Sequence, residues 1–588
     1  MKEAKADYLC EVSWEVCNKV GGIYTVVKSK ARQTALQYRK NYVLIGPYIP
    51  KNAEVDFEET PPPSFLKAIF EKLKAEGIIC YYGLFDSVNA ILIDFSEYAK
   101  NKNAIKAKIW DMFKVDSLDA PYDFDEPLIW SWCAGRLIEE ISSSLKNKKI
   151  VAQCHEWLAG GTVLYLKSVN SNVATVFTTH ATTLGRTMTG NGRALYEELH
   201  GLNTDAEAKK YGVMAKHSIE KAVANNCDVF TTVSQITSFE ALAILGRKAD
   251  VLLPNGLNLD HYPTFEEASI RHGINKVRLK SFANYFFSPH YAIDLENTLF
   301  FFLSGRYELR NKGIDVFIKA LGKLNQKMKS EKSKKTVITF FWVPGNIKAI
   351  KLPLLESKIL YSDIEDFVDM NTERIKQNIV SAIISKKLLH QAMIFEKDFI
   401  DEAKRRGIGF VKGGMPLLVT HDLYNENSDP VLNAFRAEGL LNREEDKVKV
   451  VFYPSYLTGT EGLLDMGYND AISGCHLGVF PSYYEPWGYT PLESAAMGVP
   501  AVTDDLSGFG MYLKGESCLG LCVLKRYGIS DEVFIGSLFN HLDKFVNLSQ
   551  KERVRLKMEA KKLSAMADWN MLIDYYIEAH NLAIEKRR

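Results

Sequence analysis

Short apolar runs alternate with helical patterns along almost the whole chain, and that alternation leaves few folds open. Ile150–His155 (IVAQCH), Ala174–His180 (ATVFTTH), Asp228–Ser234 (DVFTTVS), Thr298–Gly305 (TLFFFLSG), Lys335–Val343 (KTVITFFWV) and Lys447–Tyr453 (KVKVVFY) read as strands. Such runs, spaced by helices, build parallel sheets from βαβ units. Tyr8–Val16 reads as a first strand or its end, followed by a helix over TVVKSKARQTALQYR; Tyr42–Gly46 reads as a strand and Glu58–Ser64 (EETPPPS) as a loop. At 588 residues the chain exceeds what one core can serve, so two large domains are expected. The predicted class is α/β, with two Rossmann-like domains facing each other across a cleft and ligands at the carboxyl ends of their strands. Residues 1–257 form the first domain and 258–567 the second, with Leu253–Asn258 (LPNGLN) as the crossover. Residues 568–588 are expected to pack back on the first domain. Residues 355–406, rich in charged helix formers, read as a helical insertion suited to oligomerisation.

Composition narrows the partners. With 46% hydrophobic and 25% charged residues and a net charge of +1, nothing global argues for nucleic acid or membrane surfaces. The nine cysteines are scattered without paired metal-ligand spacing, and no other metal-binding cluster or cofactor motif is expected. The amino terminus, MKEAKADYLCEVSWEV, has no signal-peptide core, so a cytoplasmic protein is expected.

The chemistry is concentrated at strand ends. Phe480–Gly510 runs from a strand end through the aromatic loop PSYYEPWGY into the helix TPLESAAMG. Thr490 is predicted as its cap, Pro491 as its first residue and Glu493 as the partner in a Thr-x-x-Glu capping box. Its unpaired N–H groups, beside Glu485, Trp487 and Gly488, favour a phosphate or a sugar hydroxyl. Lys19-Val20-Gly21-Gly22 turns a first strand into a first helix, where two glycines let the backbone approach a ligand. The third glycine of a nicotinamide fingerprint is missing. Arg306 and Lys312 place two cations just beyond TLFFFLSG, where a diphosphate leaving group could sit. His180 and Arg186 share the loop THATTLGR, and Glu156 ends the preceding strand as a candidate acceptor-side acid. Tyr456 and Tyr468 follow KVKVVFY and are candidates to flank a base, although core packing is the commoner fate of such rings.

These motifs carry a resemblance. YYEPWGYTPLE, EVSWEVCNKVGGIYTVVKSKA, THATTLGR and FFLSGRYELRNKG resemble the glycogen synthases of animals and fungi, from Val12 to about Leu582. The resemblance implies the GT-B arrangement of retaining glycosyltransferases, UDP-glucose as donor, and glycogen or another α-1,4-glucan as acceptor. Arg306 and Lys312 would clamp the diphosphate, Glu485 would lie against the sugar, Glu493 would take the ribose hydroxyls and His180 would lie beside the donor glucose. Arg186 would serve the phosphate or acceptor side. A front-face attack with the leaving phosphate as base is implied, rather than a covalent intermediate on Glu485.

The resemblance also implies a homotetramer and a glucose 6-phosphate site. Arg553 and Lys557, sharing a face of the helix KERVRLKMEAKK, match phosphate-binding positions, and His272, Lys276 and His476 match residues completing that pocket. Several arginines of the family helix are replaced, with Gln550 and Glu559 among the replacements. The chain is short for the family, so control through phosphorylatable tails and dependence on a protein primer are not expected. A phosphorylase with lysine-bound pyridoxal phosphate, a sucrose- or trehalose-type transferase and a non-catalytic glucan binder remain as alternatives on the same architecture.

Overall fold

The computed structural model describes residues 2–386, 390–513, 515, 516 and 518–587; three residues of the expected insertion, 387–389, lie outside them. The first sheet contains β1 (Tyr8–Val12), β2 (Tyr42–Pro47), β3 (Glu58–Glu59), β4 (Ile79–Phe85), β5 (Val88–Asp94), β6 (Ile150–His155), β7 (Ala174–Thr179), β8 (Val229–Thr232) and β9 (Val251–Leu252). Their order is β3-β4-β5-β2-β1-β6-β7-β8-β9. From β5 to β9 neighbours pair in parallel, while β4 is antiparallel to both β3 and β5. The expected loop at Glu58–Ser64 is therefore corrected at its start: Glu58 and Glu59 pair with Leu84 and Gly83. Two charged residues suit so short an edge strand, because charge discourages further pairing.

The second sheet contains β10 (Thr298–Ser304) and β11 (Thr336–Trp342). Further along the chain come the ribbon strands β12 (Ile347–Ile350) and β13 (His421–Leu423), then β14 (Val448–Tyr453), β15 (Leu477–Val479), β16 (Ala501–Asp504) and β17 (Leu521–Leu524). Its order is β14-β11-β10-β15-β16-β17, all parallel, and β12 pairs antiparallel with β13. Every residue of β10 is buried, as an apolar run covered on both faces requires. Helices Leu352–Ile384 and Lys397–Phe410 leave from β12 and return to β13, and both are mostly exposed.

Both sheets reverse their winding once. The chain runs outward from β1 in one direction and from β6 in the other, so the switch point of the first sheet lies between β1 and β6. In the second sheet it lies between β10 and β15. Loops leaving neighbouring strands at such a point diverge and open a crevice for a ligand.

The chain crosses between the domains twice at one place. Leu257 forms a bridge with Asp568, with Leu257 N–H donating to Ala567 at 2.9 Å and Trp569 N–H donating back to Leu257 at 3.3 Å. Helix Trp569–Lys586 then packs against the first sheet, with Trp569, Tyr576 and Ile577 buried. Trp569 Nε1–H donates to Ser29 Oγ at 2.7 Å.

Candidate active site in the interdomain cleft

The loops at the two switch points carry most of the residues singled out in the sequence. After β10, Lys312 ends a short turn, and Gly313 caps helix Ile314–Ser330 with φ 60°. After β15, the loop from Phe480 to Gly488 leads into helix Tyr489–Ala496. The two loops are stitched together: Tyr483 N–H donates to Asn311 C=O at 3.1 Å, and a Cβ on Gly313 would lie 1.9 Å from Pro481 O. Lys312 and Glu485 meet there in an ion pair, with only 16% and 17% of their side chains exposed. Arg306 stands apart, 64% exposed and paired with Glu308 at 3.1 Å.

The predicted capping box is corrected. The cap of helix Tyr489–Ala496 is Gly488, at φ 105°, and no side chain caps it. Glycine suffices because its unhindered backbone makes the turn, and a Cβ there would meet Ser507 Oγ at 2.8 Å. Thr490 thus sits inside the helix, and Glu493 is released for another role. Its carboxyl accepts from Tyr468 O–H at 3.3 Å, and Tyr468 also bonds Ser304 Oγ at 2.8 Å. Desolvation raises the Glu493 pKa to about 7, with the Tyr468 hydrogen bond opposing it. Trp487 is buried against Phe509 and Tyr512, so its ring supports the loop. Tyr456 is 74% exposed on the surface, whereas Tyr468 joins the Ser304–Glu493 cluster.

Across the cleft, the first sheet presents the ends of β1, β6 and β7. Glu156 follows β6 with φ 64° and ψ 166°, a conformation costly for a side chain other than glycine. Its carboxylate accepts His180 N–H at 3.0 Å and Ala181 N–H at 3.2 Å, and burial lifts its pKa to about 7. His180 Nε2 lies 3.0 Å from His155 Nδ1. Burial foremost, with the Arg186 charge acting in the same direction, holds His180 well below the ordinary histidine value, so the ring is neutral. Arg186 opens to the water of the cleft. Desolvation works against its charge, but Glu156 foremost among nearby acids raises its pKa.

The Gly21–Gly22 turn differs from its sequence reading in one respect. Glu15, which sequence reasoning passed over, accepts Gly21 N–H and Tyr24 N–H at the start of helix Gly22–Tyr38. The amides expected to meet a ligand therefore already hold a carboxylate. Lys19 is exposed, its ammonium 5.8 Å from the centre of the Tyr24 ring. The spacing of Glu15 ahead of the two glycines was the available signal. Two hydrogen bonds cross between the domains: Tyr484 O–H donates to Glu240 at 3.0 Å and Ser234 O–H to Pro486 C=O at 2.8 Å.

A second concavity lies away from the cleft. Helices Phe265–Phe287 and Gln550–Ser564 enclose about 390 Å³, lined by His272, Lys276, His476, Arg553 and Lys557 together with Lys280, Lys335 and Lys561. Both helices open with true capping boxes, Thr264 with Glu267 and Ser549 with Glu552. The five residues taken from the sequence are thus brought together, and three further lysines join them. The His272 and His476 rings meet edge to face at 5.2 Å. Desolvation first, then Lys276, lowers the Lys557 pKa to about 7, as crowded cations without an anion require.

The family model for glycogen synthase matches residues 11–587. The chain is 35% identical over 600 residues to the glycogen [starch] synthase of Neurospora crassa, covering 100% of this chain and 85% of that protein. It is 34% identical over 586 residues to the liver glycogen [starch] synthase of Rattus norvegicus, covering 98% and 83%. With glycogen [starch] synthase isoform 1 of Saccharomyces cerevisiae it shares 34% over 618 residues, covering 98% and 86%. Among solved structures, the catalytic domain of starch synthase IV from Arabidopsis thaliana, bound to ADP and acarbose, matches with a TM-score of 0.51 at 13% identity over 99% of this chain and 100% of that one. That likeness speaks to the GT-B fold.

Proposed function

The chain belongs to the glycogen synthase family and is a glycosyltransferase of glycogen biosynthesis; we propose that it moves glucose from UDP-glucose to the non-reducing end of an α-1,4-glucan with retention at the anomeric carbon. The observation that carries this reading is the Lys312–Glu485 ion pair at the second switch point. Lys312 has a preorganised place for the charge that develops on a departing diphosphate. Arg306, exposed in the loop after β10, turns from Glu308 onto the same group. When the diphosphate arrives, Lys312 exchanges the Glu485 carboxylate for a phosphate oxygen, and Glu485 turns to the hexose hydroxyls. The bond from the anomeric carbon to the phosphate oxygen breaks, the acceptor hydroxyl attacks from the same face, and its proton passes to the departing phosphate. Glu493, poised near neutrality beside Tyr468, suits ribose hydroxyls because it can donate as well as accept. Glu156 and Arg186 serve the acceptor side.

The lysine-lined pocket takes a phosphate monoester of glucose as an activator, glucose 6-phosphate. The insertion Leu352–Phe410, exposed over most of its surface, supports a homotetramer. Among the described residues no helix is long and apolar enough to cross a membrane, and the nine cysteines are free thiols, which fits the reducing cytoplasm.

Initial-rate measurement of UDP release from UDP-glucose in the presence of glycogen tests the reading, with ADP-glucose as the comparison donor. Release that depends on glycogen and favours UDP-glucose supports it. An enzyme that releases no UDP overturns it.

A further inference from the structure

Beneath His180 lies a set of charged and polar side chains that the transfer mechanism above does not use. Glu11 on β1, Lys30 on helix Gly22–Tyr38, Tyr42 on β2 and His155 on β6 are all buried, with 0%, 0%, 0% and 1% exposure. Lys30 Nζ lies 2.8 Å from both Glu11 oxygens, and Tyr42 O–H also donates to Glu11. His155 Nε2 lies 2.8 Å from Glu11 Oε1. The ring of Tyr576, from the last helix, covers the Lys30 ammonium at 4.4 Å. Burying an ion pair in this way seldom adds stability over apolar packing, so a role in the site directly above it is the natural place to look.

The polarity of the chain of bonds follows from elementary chemistry. Burial disfavours the Glu11 charge, but Lys30 and His155 outweigh it and keep the carboxyl ionised. An ionised carboxylate only accepts, so His155 Nε2 carries a hydrogen. Lys30 already balances the Glu11 charge, and a second buried cation on His155 would go uncompensated; the His155 ring is therefore neutral, with a lone pair on Nδ1. That lone pair faces His180 Nε2 at 3.0 Å, so Nε2 of His180 carries the hydrogen between them. His180 is left with Nδ1 as an acceptor.

We propose that His155 is a positioning residue: Glu11 sets the polarity of its ring, and His155 in turn holds His180 as the Nε2–H tautomer, with Nδ1 accepting a hydroxyl of the bound hexose. This rests on the transferase reading above.

The test compares initial rates of UDP release from UDP-glucose and from its 2-, 3-, 4- and 6-deoxy analogues. In the unaltered enzyme, the analogue lacking the hydroxyl that faces His180 loses about tenfold or more in kcat/KM, as a site with an unpaired polar group requires. In His155→Leu, kcat/KM for UDP-glucose falls about tenfold and the penalty for that analogue disappears, because the two losses share one hydrogen bond. His155→Gln restores the penalty, since its amide N–H can meet Glu11 while its carbonyl accepts from His180. Glu11→Gln provides a second variant, in which Lys30 and Tyr42 claim the amide oxygen and turn its hydrogens toward His155, reversing the relay so that His180 Nδ1–H donates to the hydroxyl and the size of the penalty changes. Thermal melting establishes that each variant is folded. A deoxy-donor pattern in both His155→Leu and Glu11→Gln that equals that of the unaltered enzyme overturns the proposal while leaving the transferase reading intact. Absence of any UDP release from the unaltered enzyme overturns both.

Discussion

The Glu15 carboxylate accepts the Gly21 N–H at 2.6 Å and the Tyr24 N–H at 3.0 Å, so the turn at the end of β1 carries an anion of the chain's own making. A helix start without that partner leaves two donors without a protein acceptor. Glu15→Ala is therefore expected to lower unfolding free energy by about 1–2 kcal/mol, measured by urea denaturation. Added inorganic diphosphate should raise the melting temperature of Glu15→Ala more than that of the unaltered protein, because the vacated amides then bind it. An equal shift in both would show that these amides do not meet phosphate.

Lys312 and Glu485 are separated by 173 positions and brought together by the second switch point. Lys312→Met and Glu485→Gln are each expected to reduce kcat/KM for UDP-glucose by about 10²–10³-fold, the usual cost of removing a preorganised transition-state contact. Because the pair is largely buried, losing one partner is also expected to lower the melting temperature, so rates are compared at a temperature at which each variant is folded. Rates within threefold of the unaltered enzyme would remove the leaving-group role.

Gly313 holds those two loops at their separation. Alanine there would combine a φ of 60° with a Cβ 1.9 Å from Pro481 O, a clash with rigid backbone. Gly313→Ala is expected to cost at least about 2 kcal/mol and to reduce turnover, because the Glu485 loop must move away from Lys312. Chemical denaturation and UDP release measured on one preparation check both effects.

The basic pocket gives a pH dependence of definite sign. Folding lowers the Lys557 pKa from 10.5 to about 7. Between those values the unfolded chain binds the extra proton, so this group makes stability rise with pH from about 7 toward 10.5; below about 7 its penalty is fully present. A bound phosphate monoester relieves that penalty by favouring the charged lysine. The melting-temperature increase produced by glucose 6-phosphate should thus be largest near pH 6.5–7 and shrink as pH rises toward 9. Lys557→Met should flatten that trend. A thermal shift that does not vary across this range would count against Lys557 as an anion contact.

The apolar runs disclosed β1, β2, β6, β7, β8, β10, β11 and β14, because buried parallel strands must be apolar on both faces, but β4, β5, β9 and β17 were not among the strands read. The ends of β6, β7, β10 and β14 fall within a residue or two of the apolar runs. Edges were harder to see: Glu58–Glu59 pairs only because the hairpin beside it offers a free edge, which no local pattern announces. Lys312, Glu485, His180 and Glu156 were singled out because strand ends and glycine turns mark where a crevice opens, while the roles given to the first three came from family likeness. Thr490 misled for a physical reason, since a glycine with positive φ can start a helix as well as a threonine can. Glu15 was passed over although its partners Gly21 and Tyr24 are only six and nine residues on, whereas the Glu11–Lys30–His155 set escaped notice because packing brings its members together from separate elements. Arg553, Lys557, His272, Lys276 and His476 came from family likeness, and only packing joined Lys280, Lys335 and Lys561 to them.

The paired crossing at Leu257 and Asp568 bears on how the cleft can open. Two strands of backbone tied side by side behave as a strap hinge: they allow the halves to rotate about a line through the tie, and they resist sliding or unscrewing. The tie thus fixes the line about which any movement of one half on the other must turn.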